Sequence, residues 1–443
     1  MTETIRELAE RHWNGDVDLA DLAHHPVRPA LNRAAEEIAD GVLTLKSVAS
    51  VSALDSGDGL VMLDTGGTFD ADHVFETVRA WRPDVRLAAA VYSHHHIDHV
   101  FGTRLFDAEA IDNGWARPTV YAHEDLPDHF DRYVLTNGWN ATLNARQFGE
   151  TAATLGDVGR ERLKTFPWPT EYRYPDVTYQ DRITFRQGRL TFDLFHARGE
   201  TDDATWTWVP EHRIVHPGDL FIWAIPNAGN PQKVQRYASD WAVALRKMAA
   251  LRPETLLSGH GMPIFGADRV QMALVDTADL LDSLESQTIA MMNTGASLDQ
   301  VLHAVEVPAH LAELPYLRPV YDHPQFIVRN VWRRYGGWYD GEPDNLLPAR
   351  RVDQANEWVV LAGGVHAVLA RISELLDAGN TQMASHLVEF AALVEPGSTE
   401  VHELRARTYR QRAVGDPTLM SRAIYLHAAT SSDVGRRDLV GDW

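Results

Sequence analysis

Ser93-His94-His95-His96-Ile97-Asp98-His99 decides how the chain is read. It sets His94, His96, Asp98 and His99 within six residues, with His95 as a spare imidazole. The preceding run Leu87-Ala-Ala-Ala-Val-Tyr92 is uniformly apolar and predicts a short buried strand. A strand held by its neighbours can present ligands rigidly from the turn that ends it. His94 and His96, two apart near the strand end, point to one side. Asp98 and His99, on the turn beyond, reach a second point a few ångströms away. Imidazole and carboxylate donors without thiolates suit zinc, iron(II) or manganese.

Strand patterns continue on both sides. Upstream lie Val42–Lys46, Val48–Ala53 and Gly59–Asp64, the last ending at Asp64-Thr-Gly-Gly67. Asp64 reads either as a turn former or as an acceptor that orients a ligand histidine. A helix follows over 71–81, and another opens after Phe101. His123 and His129 read as surface or satisfied core residues, and 130–180 as a long irregular insertion of the kind that walls a pocket. Strands resume at Arg182–Phe185 and at Leu190–Phe195, which leads into His196-Ala-Arg-Gly199-Glu200-Thr201. Thr205–Val209 follows, then Arg213–Asp219 and, after a helix over 234–251, Thr255-Leu-Leu-Ser-Gly259-His260-Gly261. Three times a strand ends in a glycine turn beside Glu, Asp or His, so that these side chains can converge. Beyond residue 268 the strands vanish. Helical spacing covers 267–293, 325–335, 354–377, 381–394 and 398–414, and Ser297-Leu-Asp-Gln300 is a capping box.

At 443 residues the chain is too long for one ordinary core. Its charge of −21, from 41 basic and 62 acidic residues, excludes nucleic acid and anionic membrane surfaces as partners. An anionic substrate must therefore be attracted locally, by metal and arginine. With no cysteine there is no disulfide, iron–sulfur cluster or cysteine nucleophile. No run approaches the ~18–20 apolar residues that cross a bilayer, so membrane insertion is not expected. The N-terminus lacks an apolar signal core, and the expected address is the cytoplasm.

His-x-His-x-Asp-His after a strand resembles the metallo-β-lactamase superfamily, an αββα sandwich with two metals at one edge. Leu284-Glu-Ser-Gln-Thr-Ile-Ala-Met-Met-Asn293-Thr-Gly295 and Tyr335-Gly-Gly-Trp338-Tyr-Asp340-Gly-Glu-Pro343 look like the dimerisation domain of bacterial alkylsulfatases. Asn144-Ala-Arg146-Gln-Phe148-Gly149 is similar to a segment those enzymes carry before their active-site strands. The resemblance covers about residues 35–430. It implies an α/β fold: a catalytic sandwich over 1–270, with residues 1–35 as an arm, then an all-α dimerisation domain over 271–443.

The same resemblance implies His94, His96 and Glu200 on one metal, Asp98, His99 and His260 on the other, and Asp219 as the bridge. His196 is the rival to Glu200, because imidazole is the commoner ligand. Asp98, Asn227, His323 and Arg329 are the expected catalytic and substrate-contacting residues. The chain departs from the family where sulfate is held. Of the Thr-His…His-Asn run only Asn227 survives, with Lys233 or Arg236 as substitute charges. Gln325-Phe326-Ile327 replaces a Ser-His-Asn, and His323 lies just before it.

Two divalent ions, zinc by expectation, ~3.5–4 Å apart can share a hydroxide nucleophile. The reading is thus a homodimeric hydrolase of small organic sulfate esters, an alkylsulfatase-like sulfuric ester hydrolase. The alternatives are a phosphoester, lactone or thioester hydrolase on the same fold, and a non-catalytic metal-binding or redox-sensing protein.

Overall fold

The computed structural model describes residues 3–21, 23–27, 33–153 and 168–440. They form two compact units, Met1–Leu135 with Pro169–Trp338, and Thr136–Trp168 with Tyr339–Trp443.

The first unit holds two sheets. One runs in the order β1 (Ala35–Ala39), β2 (Val42–Leu45), β3 (Val51–Asp55), β4 (Leu60–Leu63), β5 (Leu87–Val91), β6 (Thr119–His123), β7 (Val177–Tyr179). It is antiparallel up to β4 and parallel from there on. The other sheet contains β8 (Arg182–Gln187), β9 (Leu190–Ala197), β10 (Ala204–Val209), β11 (Ile214–Ile222), β12 (Thr255–His260) and β13 (Ile264–Phe265), neighbours in that order. Its one parallel pair is β11 with β12.

Period-2 alternation assigns each face. In β4, Val61 and Leu63 enter a core shared with Phe192 and Leu194 of β9, Trp206 of β10 and Leu256 of β12. Leu60 and Met62 turn the other way, onto Val74 and Val78 of the helix Ala71–Trp81. Trp241 and Leu245 of the helix Ala238–Ala250 and Leu274 and Leu281 of the helix Ala267–Asn293 extend the shared core. Trp241 is fully buried, and its indole N–H donates to Leu220 O at 2.7 Å. The result is the expected αββα sandwich. The helices Ala267–Asn293 and Pro324–Gly336 belong to this unit, although strands cease at Phe265.

The second unit is helical, as read from the pattern. Its core joins Val368 and Ile372 of Val365–Asp377, Val388 and Ala391 of Thr381–Val394, and Val401 of Thr399–Val414. The helix expected over 354–377 is two, Arg351–Leu361 and Val365–Asp377, bent by 87°. Gly363 and Gly364, at φ +89° and +107°, occupy backbone conformations that no helix contains. Among its described residues the insertion read as irregular is mostly helical, with the helices Leu126–Leu135 and Asn137–Ala153; residues 154–167 lie outside the described ones. Asparagines and glycines dilute the apolar period there. The capping box at Ser297 is made in both directions with Gln300. No described helix is long and apolar enough to cross a membrane.

Candidate metal centre

The site collects on the ends of β4, β5, β9 and β12 and on β11. β5 stops at Val91 and hands the chain to Ser93–His99. Glu200 lies just beyond β9, Asp219 within β11, and His260 closes β12. Gly218 has φ +55°, and a Cβ there would stand 2.6 Å from Ser93 Cβ, so only glycine lets β11 pass this close to the histidine turn.

Two groups of donors result. In the first, ligand atoms of His94, His96, Glu200 and Asp219 lie within 4.8 Å of one another; in the second, those of Asp98, His99 and His260 do. His94 Nε2 is 3.8 Å from Glu200 Oε2 and 3.9 Å from Asp219 Oδ2, and His96 Nδ1 is 3.7 Å from Glu200 Oε2. Asp219 also faces the second group, with Oδ1 3.4 Å from His99 Nε2 and Oδ2 3.3 Å from His260 Nε2. Asp98 Oδ2 is 3.3 Å from His260 Nε2. Glu200 Oε2, His99 Nε2 and Asp219 Oδ1 are buried and without a hydrogen-bond partner. Buried polar atoms are rarely left so, and divalent cations would satisfy all three. The donor set fits divalent metal.

The far sides of the ligands are anchored. Asp64 accepts from Ser93 N at 2.7 Å, from Ser93 Oγ at 2.8 Å and from His99 Nδ1 at 2.7 Å. Ser93 Oγ in turn lies 2.9 Å from His94 Nδ1. Assigning protons along this chain leaves the Nε2 lone pairs of both His94 and His99 directed inward. His260 Nδ1 is held by Val48 O at 2.6 Å, to the same end. Of the two roles open to Asp64, the structure selects the acceptor. Glu200 is clamped through its other oxygen: Arg236 Nη1 is 2.5 Å from Oε1, and the Asn227 amide donates to the same atom.

Electrostatics follow from this crowding. Burial drives the His94 imidazole down to about 4, so it is a neutral donor. Burial also opposes charge on His260, yet Asp219 and Asp98 hold it up to about 10. Asp98 is kept down at about 2 because His99 and His260 outweigh its burial. Without metal the second group is thus an ion cluster of imidazolium and carboxylate, and cation binding there releases protons.

The structure brings together all seven of the metal-ligand candidates, and Asn227 beside them. His196 is not in either group: it stacks on His123 at 3.8 Å, with Nε2 2.7 Å from Asp202 O. His323 caps the helix Pro324–Gly336, its ring Nδ1 accepting from Gln325 N at 3.1 Å, and Arg329 lies on the exposed side of that helix. Neither belongs to the two groups. The sequence reading overlooked Asp203, which takes His95 Nδ1 at 2.9 Å, and Arg132 on the other face of the same ring. His129, read as a bystander, stands 4.4 Å from His95 and 2.7 Å from Asp202. The sequence signal for these was an unused histidine inside the motif and a doubled aspartate after Glu200.

Comparison with known proteins finds two family models and several relatives that resemble the chain. A model described as metallo-beta-lactamase superfamily matches residues 46–260, and one described as alkyl sulfatase dimerisation matches residues 297–435. The two matches lie one after the other along the chain, the first over the strand-rich part and the second over the helical part. It is 26% identical over 394 residues to a linear primary-alkylsulfatase of Pseudomonas sp., spanning 85% of this chain and 72% of that protein. Against an (R)-specific secondary-alkylsulfatase of Pseudomonas sp. it is 26% identical over 397 residues, covering 86% of this chain and 59% of the relative. The solved stereoselective inverting sec-alkylsulfatase Pisa1 from Pseudomonas sp. superposes with a TM-score of 0.81 at 24% identity, over 91% of this chain and 66% of that one. The last likeness is one of fold.

Proposed function

We propose that this chain is a homodimeric, dinuclear zinc hydrolase that cleaves sulfate esters of small organic alcohols. The observation that carries the reading is Asp219. One carboxylate faces two separate groups of imidazole and carboxylate donors, in a chain that pairs this site with an alkyl sulfatase dimerisation region. His94, His96 and Glu200 would hold one ion, Asp98, His99 and His260 the other, with Asp219 between them. Bound there, such a pair supplies Lewis acidity toward ester oxygens and lowers the pKa of water toward neutrality.

The residues of the chain do the positioning. Asp64 sets the tautomers of His94 and His99, and Val48 sets that of His260. Arg236 and Asn227 pull on Glu200 Oε1, so that Oε2 faces His94 and His96. Arg236 itself is locked, its backbone N and O bonded to the Asn330 side chain at 3.3 and 2.8 Å. These fixed donors keep the site organised before substrate arrives. Arg132, Lys233 and Arg236 offer local positive charge in a chain of net charge −21, which an anionic ester needs.

Dimerisation is supported by apolar side chains left exposed on the helix Arg351–Leu361, where Val360 and Leu361 are 73% and 77% accessible and Trp358 is 58% accessible. The test is sulfate release from dodecyl sulfate and from a secondary alkyl sulfate by zinc-replete protein, alongside its mass in solution. Failure to release sulfate from both substrates would sink the reading.

A further inference from the structure

Residues 46–50, the loop between β2 and β3, lie against the second donor group and include no metal ligand of their own. The loop grips His260 at three points. Val48 O lies 2.6 Å from the ring Nδ1. A carbonyl only accepts, so the proton sits on Nδ1 and is donated to it. Ser50 N donates to Gly259 O at 2.7 Å, and Ser50 Oγ to Gly261 O at 2.9 Å. The ring and the backbone on both sides of it are thus held by one loop.

A second loop, residues 64–67, backs the other two members of that group. Thr65 N donates to His99 O at 2.7 Å, and Gly66 O accepts from Phe101 N at 2.9 Å. A Cβ on Gly67 would stand 2.9 Å from Asp98 Cα, so the backbone there runs directly against the ligand-bearing turn.

One carboxylate joins the two loops. Asp70 is 9% accessible; its Oδ1 accepts from Gly67 N at 2.7 Å, and its Oδ2 from Val48 N at 2.9 Å and from Ser47 Oγ. It stands at the N-cap of the helix Ala71–Trp81, where an aspartate ordinarily accepts from the first turn, yet it makes no such bond. Its oxygens go to the loops instead. Val48 therefore gives its N–H to Asp70 and its carbonyl to His260.

We propose that Asp70 is a positioning residue for His260: by tying Val48 to Gly67 it fixes where that imidazole stands relative to Asp98 and His99. As a device for holding the second metal, this rests on the dinuclear reading given above.

The test is Asp70→Asn, which keeps the shape of the side chain but turns an NH2 against one of the three donors. The first readout is the proton resonance of His260 Nδ1–H in metal-free protein, assigned by its absence in His260→Gln. The bond to Val48 O should protect it in wild type, and D70N should lose the signal to exchange with water. The second readout is calorimetric titration with zinc. D70N should raise the dissociation constant of the second site about tenfold, the lower end of what outer partners contribute, and leave the first within about threefold of wild type. A general loss of stability would weaken both sites alike, so selectivity for one separates positioning from folding. In an H260Q background D70N should change zinc binding no further. S47A and S50A, each lacking one hydroxyl of the cradle, should shift the same site by less, and they carry the test if D70N does not fold. A protected ring proton together with unchanged zinc constants, in D70N or in both serine variants, would overturn the assignment. If wild type binds fewer than two zinc ions while D70N still loses the ring-proton signal, the positioning role stands and only the dinuclear reading fails.

Discussion

Replacing Asp64 by asparagine should cost the second metal its hold while leaving the fold intact. Asp64 is inaccessible to solvent and sits at φ +56°, a left-handed conformation that asparagine tolerates as well as aspartate does. Shape and backbone are therefore conserved, and one carboxylate oxygen becomes NH2. Three donors converge on the two oxygens: Ser93 N, Ser93 Oγ and His99 Nδ1, at 2.7 to 2.8 Å. Ser93 N has no alternative tautomer, so the amide oxygen stays with it and the NH2 turns to His99. His99 must then accept at Nδ1 and carry its proton on Nε2, the nitrogen aimed into the site. Loss of such an orienting partner weakens metal binding about 10- to 100-fold, or about 1.4–2.7 kcal/mol. Calorimetric titration of zinc into metal-free protein would resolve the two sites. The weaker should be the His99 group, while the His94 group, reached only through Ser93 Oγ, should shift less. Folded D64N protein that binds two zinc ions with affinities within about threefold of wild type would refute the tautomer argument.

Other expectations concern stability and metal. Gly218→Ala drives a Cβ to 2.6 Å from Ser93 Cβ in a left-handed conformation, so urea unfolding should show a loss of about 2–4 kcal/mol. Burial holds His12 down at about 4, below its unfolded value near 6.5; below pH 6.5 the unfolded chain therefore takes up a proton that the folded one refuses. Stability from this group, complete at neutral pH, should decline by about 2 kcal/mol at pH 5 and further toward pH 4, and His12→Met should lack that part of the decline in paired urea titrations. Chelation should abolish sulfate release, and adding zinc back should restore it. Relative to zinc at one hundred times its dissociation constant, the stripped protein should be less stable by about 2.7 kcal/mol per site, seen as a lower Tm.

How far the fold could be read depended on how local each signal was. β5 and the histidine turn were legible because Leu87–Tyr92 is unbroken apolar sequence feeding a dense run of ligands. The long helix Ala267–Asn293 was found because its leucines keep a helical period. β6, Thr119–His123, escaped notice because Pro118 precedes a short segment of mixed polarity; its parallel neighbours β5 and β7, not its own pattern, make it a strand. Residue types alone could not separate Glu200 from His196. The difference lies in register: His196 pairs with Thr205 across β9 and β10 and turns its ring to His123, whereas Glu200 lies past the strand end, free to bend inward. His323 was chosen for lying just before the segment that lacks the family histidine, and its part in starting a helix through Nδ1 could not be read from the sequence. The partnership of His95 with Asp203 joins residues 108 apart, and nothing in one dimension announces it.

The second unit is assembled from two stretches, residues 136–168 and 339–443, with most of the sandwich encoded between them. Its helix Asn137–Ala153 is made well before its packing partner Leu419–Asp433. The sandwich can close first, as domains do on an emerging chain, while this early helix waits without its partner. A single cut at residue 338 cannot liberate either module whole. Losing the helix Leu419–Asp433 would strand an element embedded far upstream, so a lesion there would be felt by a segment encoded nearly three hundred residues earlier.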